Sequence, residues 1–167
     1  MNREATWLDK TIVLARLTVA VFFLLFAEYK LFGASSVAWV TTDFPKYLHG
    51  YVSGSAIPFY QAFLNFAVVP HAVIWAYASG VIELAIGISL LLGLWVRAAS
   101  IGGILWTLNF LFATWFAGGH PADWWKYVGG QLDNLSLLML FVIFAVAAST
   151  DPWALDRRVY RKRHNWR

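Results

Sequence analysis

Cysteine is missing from all 167 residues of the chain. That absence excludes disulfide scaffolds, Cys-ligated zinc, Fe–S clusters, covalently attached haem and thiol catalysis. Charge is also scarce. Asp, Glu, Lys and Arg make up 13% of the chain, where a soluble domain carries about 25%. With 60% hydrophobic residues and a mean hydropathy of +0.59, neither an ordinary soluble globule nor a disordered chain fits. No Gly-rich phosphate loop, nucleophile elbow or dinucleotide fingerprint occurs. Internal repeats and low-complexity tracts are absent too, so a single domain over 1–167 is expected. Aromatic residues, by contrast, are abundant: 10 Trp, 13 Phe and 7 Tyr. Trp-rich chains suit a protein with two membrane–water interfaces.

A membrane helix needs about 20 mostly apolar residues. Four stretches meet that requirement, at about 11–32, 72–94, 98–117 and 132–149. The first is too long for a signal peptide, and Glu28 and Lys30 interrupt its end, so it reads as a retained span. Between spans 1 and 2, residues 42–46 (TDFPK) read as a turn or loop. Residues 57–69, IPFYQAFLNFAVV, are too short to span and suit an interfacial or re-entrant helix bounded by Pro58 and Pro70. The expected fold is therefore an all-α four-helix transmembrane bundle with one extra interfacial helix.

Basic residues decide the expected orientation. With four spans, one side holds Arg3, Lys10, Arg16, Arg97 and the six basic residues of the tail 151–167. The other side holds only Lys30, Lys46 and Lys126. Both termini are thus expected in the cytoplasm. The tail accounts for the net charge of +4 as a topology signal and an attraction to anionic lipid, and does not point to nucleic acid.

The few charges inside spans are the informative ones, because each costs about 2.5–3.5 kcal/mol to insert. Glu83 sits mid-span, too deep for a short carboxylate to snorkel. It must be neutral, or paired with a cation or hydrogen-bond donors. Ala76, Gly80, Glu83 and Gly87 follow one helix face, whose small residues let another backbone approach. Glu83 is then either a structural clamp between helices or a carboxylate that handles protons or ligand. Lys30, at the outer end of span 1, would reach down toward it. Trp106 and Asn109 share a face of span 3 that would hydrogen-bond Glu83 or hold a flat ring. Arg16 and Arg97 fall at one depth near the cytoplasmic side, where a pair of cations would bind lipid phosphate or a polar ligand head. His49, His71, His120, Asp43, Asp123 and Asp133 lie on the outer side, but their spacing matches no compact ligand motif, and no metal is expected. With no histidine deep in a span, haem between the helices is not expected either.

Four stretches carry a family resemblance. They are Arg16 in RLTVAVFF, Lys30-Leu31-Phe32-Gly33, the block ELAIGISLLLGLWVRAAS that starts at Glu83 and contains Arg97, and Leu155-Asp156-Arg157. In these the chain resembles the DoxX/DoxD-like family of small four-helix membrane proteins of bacteria and archaea, which includes the membrane subunit of thiosulfate:quinone oxidoreductase. It departs from that pattern in having Glu28 where a Gly is common and Ala154 in place of the Gly of the closing motif.

The resemblance implies a subunit of a quinone-linked oxidoreductase in a prokaryotic plasma membrane, passing electrons from a sulfur compound such as thiosulfate to quinone with other membrane or membrane-associated subunits. In that role Glu83 would be the catalytic proton carrier. Arg16, Lys30 and Arg97 would bind an anion or a quinone oxygen, and Trp106 and Asn109 would shape the pocket. The alternative expectation is a non-catalytic accessory or assembly subunit of a larger respiratory or photosynthetic complex. A small transporter is a weaker third, since inverted repeats and helices broken at midplane are absent.

Overall fold

The structure is a computed structural model that describes residues 6–117, 119 and 123–148. Every regular element among them is helical. Helix α1 runs over Trp7–Leu31. It starts earlier than hydropathy suggests because Thr6 and Asp9 form a capping box: the Asp9 amide donates to Thr6 Oγ1 at 3.2 Å and the Thr6 amide to Asp9 Oδ2 at 2.8 Å.

A kinked cap follows. It is built from α2 (Gly33–Ala38), a π-helical turn (Trp39–Asp43), α3 (Phe44–Gly50) and a second π-helical turn (Tyr51–Ser55). The expected loop at 42–46 is therefore helical. Pro45 falls in the first turn of α3, where no backbone N–H is needed, so it starts that helix instead of breaking the chain. Gly54, at φ 145°, ends the cap in a backbone conformation that other residues avoid.

Helix α4 (Pro58–Phe63), a π-helical turn (Leu64–Val68), a 3-10 turn (Val69–His71) and α5 (Ala72–Leu92) come next. These pieces form one helical run of 35 residues, Pro58–Leu92. The separate interfacial helix expected at 57–69 is thus continuous with the second span. Proline in a helix interior costs a backbone hydrogen bond. Here the π and 3-10 turns absorb Pro70, and the Trp75 indole N–H donates to the Ala67 carbonyl at 3.0 Å. At 1.5 Å per residue the run is roughly 50 Å long, so it extends well beyond a hydrocarbon core of about 30 Å.

The remaining elements are α6 (Val96–Thr114), α7 (Trp124–Gly130) and α8 (Leu132–Ala147). Among the described residues three helical runs have the length and hydropathy to cross a membrane: Trp7–Leu31, Pro58–Leu92 and Val96–Thr114. The fourth expected span corresponds to α8, an apolar helix of 16 residues that is shorter than the other three runs. The tail 151–167 and the Leu155-Asp156-Arg157 motif lie outside the described residues.

Helix α1 packs most extensively on α5, and α6 on α8. The small-residue face of α5 makes the first contact possible. A Cβ on Gly80 would lie 2.7 Å from the Leu31 side chain, and one on Gly87 would lie 2.9 Å from that of Leu24. Phe23, Leu90, Val96, Phe141 and Phe144 fill the core at the end where α5 turns into α6, with Phe23 and Phe141 edge to face at 5.4 Å. A second core of Leu48, Ala56, Tyr60, Leu64, Val68 and Ala113 joins the cap to α4 and α6 at the opposite end. Backbone bonds fix that junction: Ile57 N–H to the Phe112 carbonyl at 3.0 Å and Phe116 N–H to the Ser55 carbonyl at 2.7 Å.

Candidate functional site

The close approach of α1 to α5 brings the last turn of α1 beside the middle of α5. Lys30 is 7% exposed and Glu83 3%. Lys30 Nζ lies 2.6 Å from Glu83 Oε1. The Trp106 indole N–H, from α6, donates to the same oxygen at 3.1 Å. Three helices thus converge on one carboxylate. Its second oxygen, Oε2, is buried with no hydrogen-bond partner among the described residues. The cap closes over the cation: Lys30 Nζ stands 4.6 Å from the centre of the Trp39 ring, a cation–π contact. Trp39 is itself held by its indole N–H, which donates to the Ala76 carbonyl at 3.0 Å. The Ser79 hydroxyl donates to that carbonyl as well, at 2.7 Å.

Beside this cluster is a cavity of about 80 Å³. Its walls are mostly aromatic, from Trp39, Tyr47, Tyr51, Tyr60, Phe63, Trp75, Trp106 and Phe110. Lys30, Ser79 and Asn109 bring polar groups to it. Glu83 does not line it and stands behind Lys30 and Trp106. Asn109 does not bond Glu83; its Oδ1 accepts from the Tyr60 hydroxyl. At the cap, burial pushes the Tyr51 hydroxyl up to about 12, with a smaller contribution from nearby Tyr47.

Arg16 and Arg97 are elsewhere. Arg16 is 14 residues before Lys30 on α1, roughly 20 Å away at helical rise. It is buried, and its guanidinium donates to the Leu90 carbonyl in the last turn of α5. That turn ends at Gly93 in a left-handed cap, φ 68°. Arg16 therefore satisfies a helix-end carbonyl and complements the helix dipole. Arg97 is exposed in the first turn of α6. The two cations form no common pocket with Lys30. Of the expected ligand residues, Lys30, Trp106 and Asn109 share one cavity, and Arg16 and Arg97 do not. Among the described residues no three His, Cys, Asp or Glu side chains come together as a metal site; His120 lies outside them.

Sequence reasoning missed Tyr60, Trp39 and Ser79. In the segment IPFYQAFLNFAVV the polar residues Gln61 and Asn65 draw attention, yet Asn65 is exposed and bonds only back to the Gln61 carbonyl, at 3.0 Å. The signal present was a tyrosine one position earlier, on the face that carries Leu64 and Val68 into the core.

The DoxX family model matches residues 11–119, well over half of the chain. That match runs from the first turns of α1 to beyond the end of α6, and so covers every residue of the Lys30–Glu83 cluster and its cavity. No curated protein and no solved structure matches the chain significantly.

Proposed function

The chain belongs to the DoxX family, and from that premise we propose that it is a membrane subunit of a quinone-linked oxidoreductase whose cavity holds the quinone ring. The observation that carries this reading is a buried lysine–carboxylate pair that meets an aromatic-walled cavity through the lysine. The residues fit such a ligand. Flat aromatic walls suit a ring. The Lys30 charge is balanced by Glu83, so the cavity carries no excess charge to attract a free anion. Thiosulfate or another sulfur compound is then oxidised on a partner, and this chain serves the ring.

A quinone, when bound, takes up two electrons and two protons. Lys30 presents an N–H donor to a ring oxygen at the cavity wall. Glu83 balances its charge from behind and accepts or supplies a proton through it. Trp106 holds the carboxylate oxygen, and Trp39 covers the ammonium group and screens it from water. The role expected of Glu83 thus divides in two: Lys30 would touch the ligand, and Glu83 would position and recharge Lys30. With no cysteine in the chain, we assign the electron-donating centre to a partner subunit or a cofactor it carries. The excess of basic residues at one end of the bundle supports cytoplasmic termini in a prokaryotic plasma membrane, with the cavity toward the outer face.

A second reading, a non-catalytic accessory subunit, draws on a groove of about 730 Å³ between α1 and α8. Its apolar walls carry Thr18, Asp133 and Ser136, polar groups that a neighbouring helix would satisfy better than lipid. One experiment separates the two. The protein is purified from its native membrane in mild detergent, and co-purifying quinones and proteins are identified. Quinone that is retained by the wild type and lost from Lys30→Gln supports the first reading. Partner subunits without quinone, and no thiosulfate-dependent quinone reduction, would support the second.

A further inference from the structure

We infer that Tyr60 is a positioning residue that turns the Asn109 amide nitrogen into the cavity, so that the site selects the oxidised, carbonyl form of a quinone-type ring over its hydroxyl form. This rests on the ring-binding reading above and adds the chemistry by which the ring is recognised.

An asparagine amide has one accepting end and one donating end, and the two are nearly equal in shape. Which end meets a ligand is decided by what holds the other. Here the Tyr60 hydroxyl donates to Asn109 Oδ1, an oxygen that can only accept. The oxygen is thereby engaged, and Nδ2 is left with two N–H donors and no acceptor among the described residues. Asn109 and Tyr60 both line the cavity. Tyr60 itself is 8% exposed and packed in the core that joins the cap to α6, so its hydroxyl is a fixed point.

The other polar groups at the cavity follow the same pattern. Lys30 is an ammonium group, three donors and no acceptor, with one bond given to Glu83. The Trp106 N–H is committed to Glu83 and the Ser79 hydroxyl hydrogen to the Ala76 carbonyl. The acceptors at hand are the hydroxyl oxygens of Ser79, Tyr47, Tyr51 and Tyr60, all of them neutral. A ligand carbonyl therefore meets donors, one of them charged. A ligand hydroxyl gives its hydrogen only to neutral hydroxyl oxygens, and its oxygen is a weaker acceptor than a carbonyl for the Lys30 and Asn109 N–H groups.

The test uses the purified full-length protein in detergent under anaerobic conditions, with 2-methyl-1,4-naphthoquinone and its reduced quinol as probes and quenching of tryptophan fluorescence as the readout. The wild type is expected to bind the quinone more tightly than the quinol, by on the order of tenfold, the equivalent of one well-placed hydrogen bond. Tyr60→Phe frees the amide to turn its oxygen inward, so the ratio of the two Kd values falls toward one. Asn109→Leu removes the donor, and with it the acceptor of the Tyr60 hydroxyl. It weakens quinone binding and leaves quinol binding nearly unchanged. A role in packing alone would weaken both forms together. Equal wild-type affinity for the two forms, or a ratio that survives both substitutions, would overturn the inference and leave the ring-binding reading standing. Binding of neither form by the wild type would remove that reading, and the inference with it.

Discussion

Helix α1 carries two buried cations, and the bundle satisfies them in opposite ways. Arg16 donates to a backbone carbonyl at the end of α5, among Ile12, Val96, Phe144 and Ala147, in packing that leaves no room for a water. Lys30 faces a carboxylate on one side and a cavity of about 80 Å³ on the other. Arginine's planar fork suits a fixed structural bond, and lysine's compact charge on a flexible stem suits exchange. A buried charge is therefore not by itself a sign of a ligand site. What separates the two positions is the space beside them: packing with no room for a water at Arg16, and a cavity at Lys30. Substitutions at six positions test how far that separation holds.

The largest effect is expected at the ion pair. Glu83→Leu leaves an ammonium group buried without its counter-charge, which costs about 3–5 kcal/mol. Lys30→Leu leaves Glu83 in the corresponding position. The double variant Lys30→Leu/Glu83→Leu removes both charges and should recover most of the loss, as should the swap Lys30→Glu/Glu83→Lys. Thermal unfolding in detergent reads the stability, and quinone retention reads the site. Recovery of stability without recovery of quinone in the double Leu variant would show that the pair is kept for ligand chemistry. A double variant no better than either single would mean that the two charges do not depend on each other.

Arg16→Leu comes next. It strands the Leu90 carbonyl in an apolar core and loses a charged donor, about 1.5–3 kcal/mol. Quinone affinity should not change, because the site lies roughly 20 Å along α1. A loss of ring binding in this variant would break the comparison by coupling the two ends. The two glycines of α5 sharpen it at comparable or lower cost. Gly80→Ala and Gly87→Ala each overpack the α1–α5 contact, at about 1–3 kcal/mol. At Gly80 the new methyl would lie 3.0 Å from Lys30 Cβ, whereas at Gly87 it would meet Leu24. Both should lower the melting temperature, but only Gly80→Ala should also weaken quinone binding.

These contrasts also show what could be read in advance. Hydropathy located α1, α5, α6 and α8 to within a few residues, because lipid imposes long apolar runs that little else produces. The face of Ala76, Gly80, Glu83 and Gly87 was legible for a similar reason: helical period and residue size together say where a neighbour can approach. From that face the pairing of Lys30 with Glu83 could be anticipated. The cap could not. Residues 33–57 are too polar for a span, and their two π-helical turns depend on tertiary contacts such as Ser55 to Ala113, which no local pattern records. The sequence relates Arg16 and Arg97 by depth alone. Depth does not reveal which way a side chain turns, and here one faces a helix end and the other is exposed. Tyr60 escaped because a tyrosine inside an apolar segment looks like packing until the partner of its hydroxyl is seen.

The smallest expected effect concerns pH. Tyr51 lies at the cavity, and burial holds its hydroxyl at about 12 against an ordinary value of 10.0. A folded-state value raised above the unfolded one means that the folded protein keeps its proton longer. The resulting stabilisation is complete below pH 10 and is lost as pH rises toward 12. Alkali therefore probes the cavity end of the bundle through this group. Unfolding of the wild type and of Tyr51→Phe, compared below pH 10 and near pH 12, isolates this group from other residues that titrate in the same window. The wild type should lose more stability than Tyr51→Phe, by less than any substitution above. Equal losses in the two proteins would place the alkaline sensitivity outside the cavity, and the contrast between the two ends would then rest on Lys30 and Glu83 alone.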